Sequence, residues 1–265
     1  MIKIATSTVM YQLRLFFTAL QFFTRLPVPR WVGFDPAWRS PSLAYFPIVG
    51  ILVGGLTALA YALLLHIWPP VVAVLLASAL GIVLTGALHE DGWADVCDGL
   101  GGSVSRERAL DIMRDSRLGT YGVLGLLLLL ALKCVTLMSL PLPQAVVGLF
   151  VAHPLSRLAS MMLTARLPYA RTEGKAHGMV QKMPPAAWMV AIVGGVLPLL
   201  LAGVGGGLSW PRIALMCIAV AGVTLWLMRL FRRRLGGYTG DCLGAVQQLT
   251  EVACYLCLLL NLPHY

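Results

Sequence analysis

The chain has 265 residues, of which 58% are hydrophobic and 12% charged, with a mean hydropathy of +0.82 and a formal charge of +9. A soluble domain averages about 45–50% apolar and about 25% charged, so most of this chain is built for lipid, and its continuous Leu/Ala/Val runs exclude a β-barrel in favour of helices. The basic excess comes with no nucleic-acid recognition motif; it fits cytoplasmic loops of a membrane protein, and nucleic acid is not an expected partner.

In chain order, the first predicted element is an amphipathic helix. Arg14, Thr18, Gln21 and Arg25 recur at spacings of 4, 3 and 4 in a segment otherwise made of Leu15, Phe16, Leu20, Phe22 and Phe23. That is the pattern of a helix lying in a membrane interface. Residues 1–42 are read as this interfacial segment; Arg14 breaks the apolar stretch and no small-x-small site follows, which argues against a signal peptide. Runs of about 20 mostly apolar residues, the length a span needs, then cover 43–66, 70–88, 121–140, 143–164, 186–204, 211–231 and 242–262. The expected fold is an all-α integral membrane protein with about seven transmembrane helices, residues 1–265 forming a single polytopic domain. Gly50 and Gly54 place a GxxxG in the first span, common helix-packing material. Cys97, Cys134, Cys217, Cys242, Cys254 and Cys257 lie in or beside apolar runs and read as small apolar fillers, with no disulfide framework.

Charge sets the expected sidedness. Segments 1–42, 89–120, 165–185 and 232–241 hold nearly all of it, whereas 67–69, 141–142 and 205–210 contain no Lys or Arg. Placing the charged set in the cytoplasm satisfies the positive-inside bias and leaves the tail Asn261–Tyr265 outside. Arg232, Arg233 and Arg234 read as topology determinants.

The acidic residues are the most informative feature. Of eleven, seven fall between 90 and 115: Glu90, Asp91, Asp95, Asp98, Glu107, Asp111 and Asp115. Asp91, Asp95 and Asp98 share one face of a helix, and Asp111 and Asp115 share another. Like charges held this closely repel unless a cation sits among them, and carboxylates suit Mg²⁺, which also takes water and phosphate oxygens. Arg106, Arg108, Arg114 and Arg117 are interleaved with the acids and suit phosphate. Carboxylates for metal and arginines for phosphate are the parts of metal-assisted phosphoryl transfer. Residues 89–122 are therefore the expected catalytic segment, facing the cytoplasm.

The run His89-Glu90-Asp91-Gly92-Trp93-Ala94-Asp95-Val96-Cys97-Asp98-Gly99, followed by Met113-Arg114-Asp115-Ser116-Arg117-Leu118-Gly119-Thr120-Tyr121-Gly122, resembles the cobalamin synthase (adenosylcobinamide-GDP ribazoletransferase) family. Phe22-Phe23-Thr24-Arg25-Leu26-Pro27-Val28-Pro29, Phe46-Pro47-Ile48-Val49-Gly50, His153-Pro154-Leu155-Ser156-Arg157 and Gly240-Asp241-Cys242-Leu243-Gly244-Ala245 support it, in the expected order along the whole chain. The resemblance implies a multi-pass enzyme of the inner (cytoplasmic) membrane that needs Mg²⁺. It would join adenosylcobinamide-GDP to α-ribazole, or to α-ribazole 5′-phosphate, and release GMP. A homo-oligomer, or a membrane assembly with other cobalamin enzymes, is the expected setting.

On that reading Asp91, Asp95 and Asp98 bind Mg²⁺, with Glu90 a further ligand candidate. Asp111 and Asp115 complete the cage, or one of them accepts the ribazole hydroxyl proton. Arg114 and Arg117 hold phosphate oxygens; Arg25, Arg166, Arg171 and Lys175 line the mouth. His153 and Arg157, ionisable groups in an apolar run, line a substrate cavity. Asp241 caps its helix or reaches the metal site. Three other classes stand beside this one. An alcohol phosphotransferase lacks its D-G-x-x-A-R pattern here, because Asp95 follows Gly92-Trp93-Ala94; a prenyltransferase would set its paired DxxxD motifs on separate helix pairs; a cation transporter would carry mid-span carboxylates, for which only Glu251 qualifies.

Overall fold

The computed structural model describes residues 2–171 and 183–260, the backbone alone over 2–7. Eleven α-helices follow one another among these residues: α1 (Ile2–Phe23), the single turn α2 (Arg39–Ser42), α3 (Phe46–Leu64), α4 (Pro70–Thr85), α5 (Leu88–Gly102), α6 (Arg106–Ile112), α7 (Thr120–Met138), α8 (Leu142–Arg166), α9 (Pro185–Val204), α10 (Trp210–Leu235) and α11 (Gly240–Leu259). Six stretches are long and apolar enough to cross a membrane: Pro36–Leu64, which contains α3, and helices α7 to α11. The all-α membrane architecture read from hydropathy is the one observed. Lys175 and the tail 261–265 lie outside the described residues.

The departure is at 70–88. Helix α4 has only 16 residues, a rise of roughly 24 Å, short of the ~30 Å hydrocarbon thickness. The chain then turns by 89° into α5. Gly86 (φ 64°) and Ala87 (φ 59°) make the corner, both left-handed. Glycine tolerates that conformation, whereas alanine pays roughly 1–2 kcal/mol for it. Strain of this kind is held only where the surroundings over-determine it. Here Arg25 supplies the clamp: its backbone N–H donates to the Leu84 carbonyl at 2.7 Å, and a Cβ at Gly86 would meet its Nε at 2.6 Å. Segment 89–120, expected as a polar loop between spans, is instead mostly helical. Helix α5, with His89, Glu90, Asp91, Asp95 and Asp98 along it, lies crosswise to α4 and is not a span of its own.

Helices α8 and α11 form the buried centre, while α7, α9 and α10 turn most of their surface outward. Helix α3 crosses α8 closely enough that a Cβ on Gly50 would meet His153 O at 2.8 Å, and one on Gly54 would meet Leu149 O at 2.7 Å. The GxxxG is thus an α3–α8 contact. Helix α1 docks through Leu15, Ala19, Leu20 and Phe23. Its polar stripe is split as a result: Thr18 is buried, Arg14 stacks over Trp38 at 5.4 Å, and Val9, Met10, Tyr11 and Leu13 are exposed.

Candidate active site at the crossing of α5 and α11

Helix α5 crosses the start of α11 at two glycines. A Cβ on Gly92 would meet Asp241 O at 2.9 Å and its Cα at 3.0 Å; one on Gly244 would meet His89 O at 3.0 Å. The close approach sets Asp241, in the first turn of α11, beside Asp91 and Asp95. Asp95 reports the crowding: burial first, then the charges of Asp241 and Asp91, push it up from 3.8 to about 7. Arg171 closes the group, its Nη2 donating to Asp241 Oδ2 at 2.8 Å and to Met113 O at 3.2 Å. Residues before it are tied to the α10–α11 link by Ala170 N–H to Tyr238 O (2.8 Å) and Tyr238 N–H to Pro168 O (3.0 Å). Asp95 thus feels the charges of Asp91 on its own helix and of Asp241 on the next, and Arg171, from a third chain segment, bonds to Asp241.

Other expected site residues sit elsewhere. Asp98 is buried, and both its oxygens accept backbone N–H groups, from Gly119 and Gly122 at 2.7 Å each. It caps the start of α7, where unpaired N–H groups and the helix dipole favour a carboxylate, a use of both oxygens that helical spacing does not show. Glu90 is also buried and turns away, its Oε1 accepting from Gln248 Nε2 at 2.8 Å. Asp111 and Asp115 line a cleft of about 320 Å³ together with Asp98, Arg108 and Arg117, and neither Asp91 nor Asp95 lines it. Arg117 grips Asp115 with Nε and Nη2 and holds its carboxyl down at about 2, too low for a proton acceptor. Arg114 is exposed. Arg166 ends α8, its carbonyl accepting from Arg232 at 3.4 Å. Arg234 latches the end of α5 by donating to the Leu100 and Ser103 carbonyls, beyond the topological role expected of it.

His153 and Arg157 lie in a polar network inside the bundle. Lys133 Nζ pairs with Glu251 Oε1 at 2.6 Å and donates to Gln248 Oε1 at 3.1 Å. Glu251 also accepts from Gln247 Nε2 (2.5 Å) and the Tyr255 hydroxyl (2.9 Å), and His153 Nδ1 lies 3.6 Å from its Oε2. Arg157 Nη1 donates to His153 O at 2.9 Å. The cavity among them is about 40 Å³, room for about one water, which is too small for a substrate; most of the groups bond to one another, while Arg157 Nε and Gln247 Oε1 are left without a partner. Sequence reading missed Gln247 and Gln248, although their spacing of 4 and 3 from Glu251 puts them within reach of it. Through Glu90 and Gln248 this network anchors α5 from beneath, next to Asp91.

The chemistry of the crossing suits a hard divalent cation, since one placed among Asp91, Asp95 and Asp241 would relieve the repulsion that burdens Asp95. Among the described residues no three His, Cys, Asp or Glu side chains are grouped to hold an ion unaided. Mg²⁺ is commonly bound by one or two carboxylates together with waters and substrate phosphates, so the donors present fit it.

Several known proteins similar to this chain share a name. Adenosylcobinamide-GDP ribazoletransferase of Leptothrix cholodnii is 48% identical over 255 residues, covering 94% of this chain and 96% of the relative. That of Shewanella woodyi is 44% identical, with the same coverage, and that of Albidiferax ferrireducens is 42% identical over 276 residues, 94% of this chain and 99% of its own. No solved structure matches. The profile of cobalamin-5-phosphate synthase matches residues 15–259, so that spans, crossing and carboxylates all fall within the match, and the chain belongs to the cobalamin-5-phosphate synthase family.

Proposed function

We propose that this chain joins adenosylcobinamide-GDP to α-ribazole, or to its 5′-phosphate, and releases GMP, with its site on the cytoplasmic face of the inner membrane. The observation that carries the site assignment is the meeting of Asp91, Asp95 and Asp241 with Arg171 at one helix crossing, in a chain similar over 94% of its length to proteins bearing that activity's name. The acceptor's ribose oxygen bonds to the phosphorus that carries cobinamide, the bond from that phosphorus to GMP breaks, and the hydroxyl proton passes to a carboxylate. Asp95, poised near 7, suits that acceptor role. Asp91 and Asp241 would hold Mg²⁺, which supplies charge stabilisation for the diphosphate. Arg171 orients Asp241 and offers its remaining N–H groups to phosphate oxygens.

Purified protein in detergent, given both substrates and Mg²⁺, is expected to release GMP, and a chelator to stop it. Asp91→Asn, Asp95→Asn and Asp241→Asn should each lose most turnover. Absence of GMP from the wild type, or near wild-type rates in those variants, would overturn the reading. Activity without a sealed membrane also separates this enzyme from a transporter.

A further inference from the structure

Beside the three carboxylates lies a pocket of about 130 Å³. Its inner wall is a column of parallel rings. Phe23 stacks on Phe46 with centroids 3.9 Å apart and planes at 19°, and Phe46 stacks on His89 at 5.7 Å and 10°. Leu43 and Met161 line the same pocket and, like the three rings, are buried. Asp91, exposed, and Asp241, half-buried, line it as well. The gradient of exposure orients the pocket, apolar at its depth and acidic at its mouth.

Polar groups in the depth are few. Two hydroxyls in the wall are already used by nearby carbonyls, Ser160 Oγ donating to Leu243 O at 2.7 Å and Thr164 Oγ1 to Met161 O at 2.8 Å. His89 lines both this pocket and the polar cavity of Lys133, His153 and Glu251, so its ring divides the apolar pocket from the charged interior. A complementary ligand is flat and mostly apolar and carries hydroxyl groups on the side that meets the carboxylates. Guanine fits poorly, because several ring-edge donors and acceptors would be stranded against hydrocarbon. A benzimidazole linked through one nitrogen to ribose fits, having one free ring nitrogen and an otherwise hydrocarbon surface.

We infer that this pocket seats the aromatic base of the nucleoside acceptor, and that its apolar wall selects a benzimidazole-type base over a purine. The inference rests on the reaction proposed above. It also places the acceptor's ribose at the acidic mouth, where a hydroxyl proton can pass to a carboxylate while the donor's diphosphate approaches from outside.

The test is the separate KM of each substrate for the purified enzyme in detergent. Leu243 is half-buried in the wall, and Leu243→Phe fills the pocket. It is expected to raise KM for α-ribazole about tenfold or more, given 10- to 200-fold per methylene misfit in an apolar pocket, with KM for adenosylcobinamide-GDP within about twofold. The wild type should use an α-linked purine nucleoside at least about tenfold less efficiently than α-ribazole. Phe22→Ala, which opens the wall, should narrow that preference, and this pair of measurements decides the matter if Leu243→Phe does not fold. A rise confined to the cobinamide donor, or equal use of purine and benzimidazole nucleosides by the wild type, overturns the inference. No GMP from the wild type would instead sink the reaction on which it rests.

Discussion

Gly92 gives the sharpest test of the crossing. In an exposed helix Gly→Ala is stabilising by about 1 kcal/mol, so helix propensity alone favours Gly92→Ala. The structure gives the opposite sign. The new methyl would lie 2.9 Å from Asp241 O and 3.0 Å from its Cα; both are backbone atoms and cannot rotate aside. Restoring an ordinary carbon contact of about 3.5 Å requires α5 and α11 to separate by roughly half an ångström. That separation acts between Asp91 and Asp95 on one helix and Asp241 on the other. Misplacement of catalytic groups by about 1 Å can cost about 100-fold, so a loss of roughly 10- to 100-fold in kcat/KM is expected, with overpacking lowering stability by about 1–3 kcal/mol. GMP release across a Mg²⁺ titration, with an unfolding curve of the same sample, reads both. Wild-type kcat/KM with raised stability in Gly92→Ala would refute the close crossing.

Three further outcomes follow from particular contacts. Asp98→Ala should destabilise by about 2–4 kcal/mol through two lost charge-assisted hydrogen bonds, yet leave the Mg²⁺ concentration for half-maximal rate near wild type; a Mg²⁺ shift without destabilisation would return Asp98 to the metal site. Lys133→Met strands the buried Glu251 charge and should cost about 3–5 kcal/mol by thermal unfolding, with Lys133→Met/Glu251→Gln recovering part of it; a single variant as stable as the wild type contradicts the pairing. For pH, Asp95 at about 7 against 3.8 ordinarily should give kcat/KM an acid limb falling tenfold per unit below about 7, abolished in Asp95→Asn and displaced downward by saturating Mg²⁺. Between about 4 and 7 the folded state holds a proton that the unfolded chain has released, so without Mg²⁺ the unfolding midpoint should fall as pH rises through that window. A flat rate profile from pH 5 to 8 would argue against Asp95 as the base.

Much of the fold was legible because lipid imposes a length and an apolarity on every crossing segment, and both are visible in a linear string. At 70–88 the expected straight span is instead a short helix that passes the same length and apolarity test only together with α5, across an 89° bend, since hydropathy does not register the left-handed backbone of Gly86 and Ala87 that ends α4. The acidic segment was legible for a similar reason: seven carboxylates within 26 positions, 90–115, stand out without any structure. Their division was not legible. Helical spacing puts Asp91, Asp95 and Asp98 on one face, but it does not say what packs there, and it is the amides of Gly119 and Gly122 that take Asp98.

The sequence by itself determined that this is a helical membrane protein with a conspicuous acidic segment, and its motifs pointed to the family. Tertiary structure alone decided which of these groups come together in the candidate site. Asp241 and Arg171 join Asp91 and Asp95 because two glycines let α5 and α11 touch and because Tyr169 and Tyr238 pair across the chain. Lys133, His153 and Glu251 likewise come together from three different helices. Spacing along one helix records which side a residue faces, whereas the partner on that side comes from elsewhere in the chain and is chosen by packing.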